Sequence, residues 1–471
     1  MTIHGSFLPL ARFGSDGVSV PRIAIVGRGF SGLMTAIALL RRVRTPFELQ
    51  LFDPHPDISG GQALAGAQLG EILNSRVRDL SVADDDVDDF DTWLRGNASF
   101  RNAVSAAIPG FRQIFVPKGM FSDYAYQRFS DALALRHDVS IRVRSELVLS
   151  IARRGDGRFA VATGEGPAQT CDIVVLATGY GTVRAGSSPQ PEMSGARPVR
   201  ARRLAPCPHI VLLGTGVRVV DRLFQLRDGG YAGRITLLSA HGFLPRSHTR
   251  FAADPMELEG KIPHRLPEIV RFLRQACRTA EENGQNWQSV MNAFRKQARS
   301  LWRDLPAAEK RRFNRHLRAI YDSHRNRLPE PHYLRLMREL STGGTVLRKG
   351  WAGSFSDDGV TVRWPGEARE DFIAASTVID CRCAAPDLTA PPLSALLQDG
   401  LAMPDELGLG LLVNAHGEVL VGDQATANLY AVGPLGLGSL PDIDLVPEIV
   451  SQAYAAAGLV ARTCTALAST G

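Results

Sequence analysis

Near the start of the chain the apolar positions fall into three runs of different period. Ile23 to Val26 is short and unbroken, Leu33 to Val43 repeats at helical spacing, and Phe47 to Phe52 is a second short run ending at Asp53-Pro54. A short apolar run between turn residues predicts a buried strand, and the helical period between two such runs predicts a crossover helix. Together they make one βαβ unit, whose parallel strands require a right-handed connection. Farther on, Asp84 to Asp91 predicts the solvated start of a helix, and Asp172 to Ala177 another buried strand closed by Thr178-Gly179-Tyr180-Gly181.

Residues 182–208, rich in Pro, Gly, Ser and Arg, read as a linker. A second βαβ pattern opens at Ile210, with Arg234 to Leu238 as its next strand. From about 255 to 340 the period is helical: Trp287, Val290, Met291, Phe294, Ala298 and Leu301 share one face, and Phe313, Leu317 and Ile320 share another. Short strands return after Gly343, with Thr377 to Cys381 the clearest. Ala431 to Ala457 is a glycine-rich turn leading through Val446-Pro447-Glu448 into a terminal helix.

The turn of the first βαβ unit carries G-x-G-x-x-G as Gly27, Gly29 and Gly32. The first glycine permits a tight turn, the second lets backbone approach a pyrophosphate, and the third lets helix and strand pack closely. The helix N-terminus then offers unsatisfied N–H groups and partial positive charge to phosphates. Asp53, at the end of the next strand, is placed to accept ribose hydroxyls. A lone glycine motif also serves as a purely structural turn; here strand, turn, helix, strand and terminal acid all agree on a dinucleotide cradle. The second unit holds a shorter copy, Gly214-Thr215-Gly216, with Val219 at the third-glycine position. Val219 is expected to push helix and strand apart without blocking phosphate.

With 471 residues, 44% hydrophobic and 22% charged, the chain has room for two or three globular domains. A formal charge of +6 and a pI near 9.1 favour acidic small ligands or weak polyanion contact without demanding nucleic acid. Much of the excess lies between Arg295 and Arg327, where apolar residues at helical spacing point to solvated faces or a cofactor entrance and away from nucleic acid. The six cysteines are too scattered for a disulfide framework, and Cys381 and Cys383 lack the C-x-x-C spacing of dithiol oxidoreductases. Cys383 reads either as a reactive thiol or as a buried inert one. No metal site is expected, no apolar run approaches membrane-spanning length, and residues 1–20 read as a loose leader without a signal peptide. A cytoplasmic location is the default expectation.

Taken in order, GRGFSG, FDP, LN, ATGYG, GTG, LPRSH, WRDLP, RRF, RHLR, HRNR, GLG, GPLG and VPEI resemble the bacterial FAD/NAD(P)-binding flavoproteins with two dinucleotide-binding domains, relatives of flavin-containing and N-hydroxylating monooxygenases. The resemblance covers about residues 20–460. It implies an α/β fold of two Rossmann-like domains, the second inserted in the first. Residues 21–200 and 370–471 would form a discontinuous FAD-binding domain, and 205–365 an NAD(P)-binding domain with a helical segment at about 255–340. It implies that Gly27, Gly29, Phe30, Ser31, Gly32 and Asp53 bind FAD, that Leu73, Asn74, Ala177, Thr178 and Gly179 complete the site, and that Gly433 and Pro447 lie over the isoalloxazine. Gly214, Thr215 and Gly216 would hold NADPH or NADH, with Asp221 the usual acid a turn into the helix. His316, His324, Arg325 and Arg327 match a basic patch that touches the nicotinamide phosphates or serves the structure.

This chain departs from the pattern at three places. Arg218 stands where relatives have a small polar residue. Ser239-Ala240-His241-Gly242 replaces the serine-arginine-arginine-glycine of NADPH-preferring relatives, leaving Arg246, Arg250 or the basic helices to compensate. Cys381-Arg382 or the next pair stands where threonine-glycine is common. The function implied is an FAD-dependent NAD(P)H oxidoreductase, a monooxygenase hydroxylating a small molecule through a reduced-flavin/oxygen adduct. Its alternatives are a flavin reductase or oxidase without oxygen insertion, and a non-catalytic FAD module with a degraded second site. Substrate, oligomeric state and catalytic acid or base are not legible.

Overall fold

The computed structural model describes residues 20–55, 71–98, 100, 110–181, 209–258, 260–356, 358–382 and 385–470. The expected linker at 182–208, nearly all of the expected leader, and Cys207 and Cys383 lie outside the described residues.

The first lobe opens with β1 (Arg22–Val26), α1 (Phe30–Arg42) and β2 (Phe47–Phe52). Then come α2 (Asp89–Gly96), α3 (Lys118–Ala134), β3 (Val139–Arg144) and a meander of β4 (Val148–Arg153), β5 (Phe159–Thr163) and β6 (Gln169–Cys171), before β7 (Ile173–Leu176) returns beside β1. The second lobe repeats the course with β8 (His209–Leu213), α4 (Val217–Asp228) and β9 (Arg234–Ser239). Five helices follow: α5 (Leu266–Glu282), α6 (Trp287–Asp304), α7 (Ala307–His316), α8 (Arg318–Arg325) and α9 (Glu330–Ser341). Strand β10 (Thr345–Lys349), the meander β11 (Trp351–Ser356), β12 (Gly359–Arg363) and β13 (Glu370–Ala374), and β14 (Thr377–Asp380) complete it. The chain then rejoins the first lobe through α10 (Leu393–Gln398), β15 (Glu418–Val421), β16 (Gln424–Ala431) and α11 (Val446–Thr470).

Each lobe is a sandwich of helices, parallel sheet and meander. The first sheet runs β15-β16-β7-β1-β2-β3, parallel except for β15 at its edge. The second runs β10-β9-β8-β14, all parallel. Strands β1 and β7 are buried on both faces because helices cover one side and a meander the other. Helix α1 is buried along its whole inner length, Phe30 to Leu40, between the sheet, α3 and α11.

Two expectations need correction. Strands β13 and β14, placed by the division at residue 370 with the first lobe, belong to the second: Thr377–Asp380 pairs in parallel with Ile210–Leu213. The helical face of Phe313, Leu317 and Ile320 is split, because Leu317 (φ −119°, ψ −22°) ends α7 and α8 starts afresh after it.

Candidate functional site: two nucleotide cradles

Parallel strands end together, so the turns that follow them meet at one edge of the sheet. At the end of β1, Gly27 takes φ +102°, and its amide donates to the Phe52 carbonyl at 2.8 Å. A Cβ on Gly27 would lie 2.5 Å from Ala177 O, so the turn sits directly on the backbone of the β7 end. A Cβ on Gly32 would overlap Gly27 O, so α1 starts as close to the turn as a chain without a side chain allows. Gly29 caps α1 without a side-chain hydrogen bond, and no acid stands in the first helical turn, so the N-terminal N–H groups keep their capacity for an anion. The Phe30 ring packs into the core against Phe121, at a centroid distance of 5.8 Å.

Asp53 accepts the Arg28 amide at 2.8 Å on one oxygen and the His55 amide at 3.0 Å on the other. Its remaining lone pairs can accept ribose hydroxyls. Strand β16 pairs with β7, which carries the C-terminal glycine turn to the same edge; a Cβ on Gly433 would overlap Ser31 Oγ. Gln452 on α11 accepts the Gly433 amide at 2.8 Å, and Pro447 opens that helix. Thr178 Oγ1 is buried beside the turn without a hydrogen-bond partner among the described residues. A buried orphan hydroxyl beside backbone that excludes side chains fits a polar ligand at this edge.

The second turn has nearly the same backbone. Gly214 has φ +112° and donates to Leu238 O at 2.8 Å. Gly216 caps α4 at φ −76°, ψ −177°, against −66° and −170° for Gly29. Val219 is fully buried, with a methyl 3.2 Å from where a Gly214 Cβ would lie. Helix α4 therefore stands farther off its turn than α1 does.

Strand register makes the two edges comparable residue by residue. Val26 pairs with Phe52 and Leu176; Leu213 pairs with Leu238 and Asp380. Asp53 thus corresponds to Ser239, Ala177 to Cys381 and Thr178 to Arg382. The Arg382 stem lies over the turn, its Cγ 3.4 Å from a Gly214 Cβ position, while its Nε and Nη2 reach Asp380 at 2.9 and 2.7 Å. Thr215 Oγ1 donates to Ser239 Oγ at 3.2 Å. Burial pushes the Cys381 thiol up to about 11, so it stays protonated at neutral pH.

Several residues that join the lobes carry no local sequence signal. Lys118 at the start of α3 reaches Asp221 on α4 at 2.8 Å and Glu71 at 3.0 Å. Burial alone would lower the Lys118 pKa, but Asp221 and Glu71 outweigh it and the net direction is upward. Burial raises Asp221, with Lys118 opposing. Asp221, the acid a turn into the second helix, is thus engaged in an inter-lobe ion pair. Arg76, almost wholly buried, donates to the carbonyls of Gln113 and Thr249, both at 2.5 Å. His248 Nε2 lies 2.9 Å from the Asn74 carbonyl. Burial, with Arg327 nearby, pushes His248 down to about 3, so the ring is neutral and donates. Leu73 anchors the same loop through its amide to Val116 O at 2.9 Å.

The expected basic patch also divides. Arg325 is buried and ion-paired to Asp442 and Asp444, the latter of which is 3.3 Å from the Tyr180 hydroxyl. Arg327 donates to Gln288 and Asn292 at 2.5 and 2.9 Å. His324 contacts Ile320 O at 2.8 Å and meets the Trp287 ring edge-on, whereas His316 is exposed. Trp302 donates to Gly438 O at 2.9 Å, and Arg299 pairs with Glu448. These helical residues hold the 438–448 segment from both ends. The Arg246 backbone bonds to Ser323 and Leu328, and the Arg250 carbonyl lies 3.4 Å from Arg76. Among the described residues no group of three metal-ligating side chains occurs, and no helix is long and apolar enough to cross a membrane.

A family profile described as FAD-NAD(P)-binding matches residues 24–181, from β1 through the Thr178 turn. No curated protein sequence matches the chain. Among solved structures, the ornithine N-hydroxylase of Kutzneria sp. 744, with reduced FAD, NADP+ and L-ornithine, is similar over 95% of this chain and 99% of its own, at 15% identity and a TM-score of 0.59. The FAD-bound cadaverine monooxygenase of Erwinia amylovora matches over 95% of each chain, at 11% identity and a TM-score of 0.58. The bacillithiol disulfide reductase of Staphylococcus aureus covers 95% of this chain and 98% of its own, at 13% identity and a TM-score of 0.51. At such identities the likeness is one of fold. The chain has the two-lobed α/β fold of these flavoenzymes.

Proposed function

We propose that this chain is an FAD-dependent NAD(P)H oxidoreductase that hydroxylates a small molecule with oxygen. The observation that carries the reading is one cradle built twice at equivalent strand ends, the first within the FAD-NAD(P)-binding match and closed by Gly433 over Ser31. In it the α1 N-terminus with Gly27, Gly29, Phe30, Ser31 and Gly32 would hold the pyrophosphate, and Asp53 the ribose. Leu73, Asn74, Ala177, Thr178 and Gly179 would line the path to the isoalloxazine, and Gly433 and Pro447 would cover it. When bound, FAD would supply hydride acceptance from NAD(P)H and electron delivery to oxygen. The chain's own residues orient and enclose. His248 fixes the Asn74 carbonyl, Arg325 clamps the Asp442–Asp444 segment ahead of Pro447, and Trp302 and Arg299 press that segment inward against water.

Oxygen insertion is supported by likeness to the ornithine and cadaverine enzymes. A reductase or oxidase without insertion is favoured instead by likeness to the disulfide reductase. The partly buried Cys381, held protonated by burial, makes a poor thiol relay in that reading. A non-catalytic FAD module draws its support from Arg382 lying over the second turn.

The deciding experiment is anaerobic stopped-flow absorbance of the FAD-loaded protein mixed with NADPH and, separately, NADH, followed by oxygen and a panel of primary amines. Flavin bleaching by a nicotinamide, and an amine that raises oxygen uptake while lowering peroxide, is the expected result. Bleaching with only peroxide produced favours the oxidase. Bound flavin that neither nucleotide bleaches favours the non-catalytic module.

A further inference from the structure

The two cradles carry opposite charge at the address where an adenine ribose is read. In the first lobe the strand-end residue is Asp53, and the residue after Arg144, the β3 partner of Phe52, is Ser145. In the second lobe the strand-end residue is Ser239, and its register partner on β10 is Lys349. An acid beside a neutral residue has become a neutral residue beside a cation.

The local geometry places that cation at the corner. Side chains alternate along a strand. Arg348 stacks on Trp364 of the second meander with 4.2 Å to the ring centroid, so Lys349 projects to the other face. The Lys349 Cβ lies 3.8 Å from where a Cβ on Gly242 would stand, and the Gly350 amide donates to Ser239 O at 2.9 Å. Ser239 Oγ is 3.4 Å from the amides of both His241 and Gly242, so the turn bends around the serine hydroxyl. His241 and Lys349 are both exposed, and among the described residues neither pairs with an acid.

A carboxylate at this position accepts the ribose 2′-hydroxyl and repels a 2′-phosphate, whereas a neutral residue beside cations admits the phosphate. We infer that Ser239, His241 and Lys349 form a 2′-phosphate site, so that the second cradle selects NADPH over NADH, with Lys349 standing in for the missing arginine fork. The inference rests on the reading of the second cradle as a nicotinamide nucleotide site, and it adds the specificity of that site.

The test is isothermal titration of the FAD-saturated full chain with 2′,5′-ADP and with 5′-AMP, fragments that differ only in the 2′-phosphate. The expected result is at least tenfold tighter binding of 2′,5′-ADP. Lys349→Gln should bring the two within about threefold by weakening 2′,5′-ADP alone, and Ser239→Asp should reverse the preference while the flavin band stays unchanged. Equal binding of the two fragments by the native chain, or a ratio that Lys349→Gln leaves intact, overturns the 2′-phosphate site but leaves a nucleotide site. If neither fragment binds, the nucleotide reading of the second cradle falls with it.

Discussion

The two cradles share a backbone and differ in what surrounds it. Gly27 and Gly214 differ by 10° in φ, and both amides bond to the neighbouring strand at 2.8 Å. Around the first, every approach is tight: Gly32 lets the helix touch the turn, Ala177 backs it, and β16 brings Gly433 onto Ser31. Around the second, Val219 holds the helix off, β14 is the sheet edge, and a half-exposed Arg382 stands where Thr178 stands in the first. Such a contrast suits one nucleotide held permanently and another that enters and leaves. Close backbone contact on several sides slows release, whereas an open edge permits exchange.

Exchanging the third residue of the cradles should break this comparison hardest. Gly32→Val places a side chain where even a Cβ overlaps Gly27 O, so FAD retention should fall at least a hundredfold and stability by about 3 kcal/mol or more. The flavin-to-protein absorbance ratio and a urea midpoint would register both. The reciprocal Val219→Gly removes a fully buried side chain and adds helix entropy, costing roughly 2–3 kcal/mol. Its flavin content should be unchanged; loss of flavin would mean that the lobes do not hold their ligands independently.

The joint between the lobes sharpens the comparison through pH. His248 in the folded chain titrates at about 3, below its ordinary 6.5, because it is buried near Arg327. Between those values the unfolded chain binds the extra proton. The stability gained by keeping the ring neutral is therefore complete above pH 6.5 and is lost as pH falls toward 3, at about 1.4 kcal/mol per unit. In His248→Gln, urea midpoints at pH 7 and pH 4.5 should lie closer together than in the native chain. An unchanged gap would show that His248 does not contribute to the acid limb. The smallest effect is expected at Arg382→Thr, which copies Thr178 into the second cradle: nicotinamide nucleotide should bind severalfold tighter by fluorescence titration, with FAD unaffected. Weaker binding would make Arg382 a phosphate ligand.

Much of the fold was legible because its signals are local. Buried strands read as unbroken apolar runs, and the glycine turns read from their spacing. The meander β4 to β6 was missed, and β11 to β13 read only as short strands after Gly343: β4 to β6 are short and half-buried, and β11 and β13 are largely exposed, so neither set carries a strong apolar signal. The break at Leu317 was missed because the apolar period of Phe313, Leu317 and Ile320 continues across it. At the site, motif alone read Asp221 as the usual acid a turn into the helix and left Arg325 between a nucleotide contact and a structural role. Their partners, Lys118, Asp442 and Asp444, lie in distant segments that only packing brings near.

The sequence by itself determined that two phosphate-type turns exist, since a glycine at positive φ between a strand and a helix is set by residues adjacent in the chain. It also determined that Val219, not glycine, holds the third position of the second turn, inside the first turn of α4. Only the tertiary structure decided what each turn faces. Parallel register sets Ala177 against Gly27, Arg382 over Gly214, and Lys349 beside Ser239, and that register is fixed by strand pairing between segments far apart in the chain. Motif spacing specifies the backbone of a cradle, while the pairing of distant strands specifies the charge that greets its ligand.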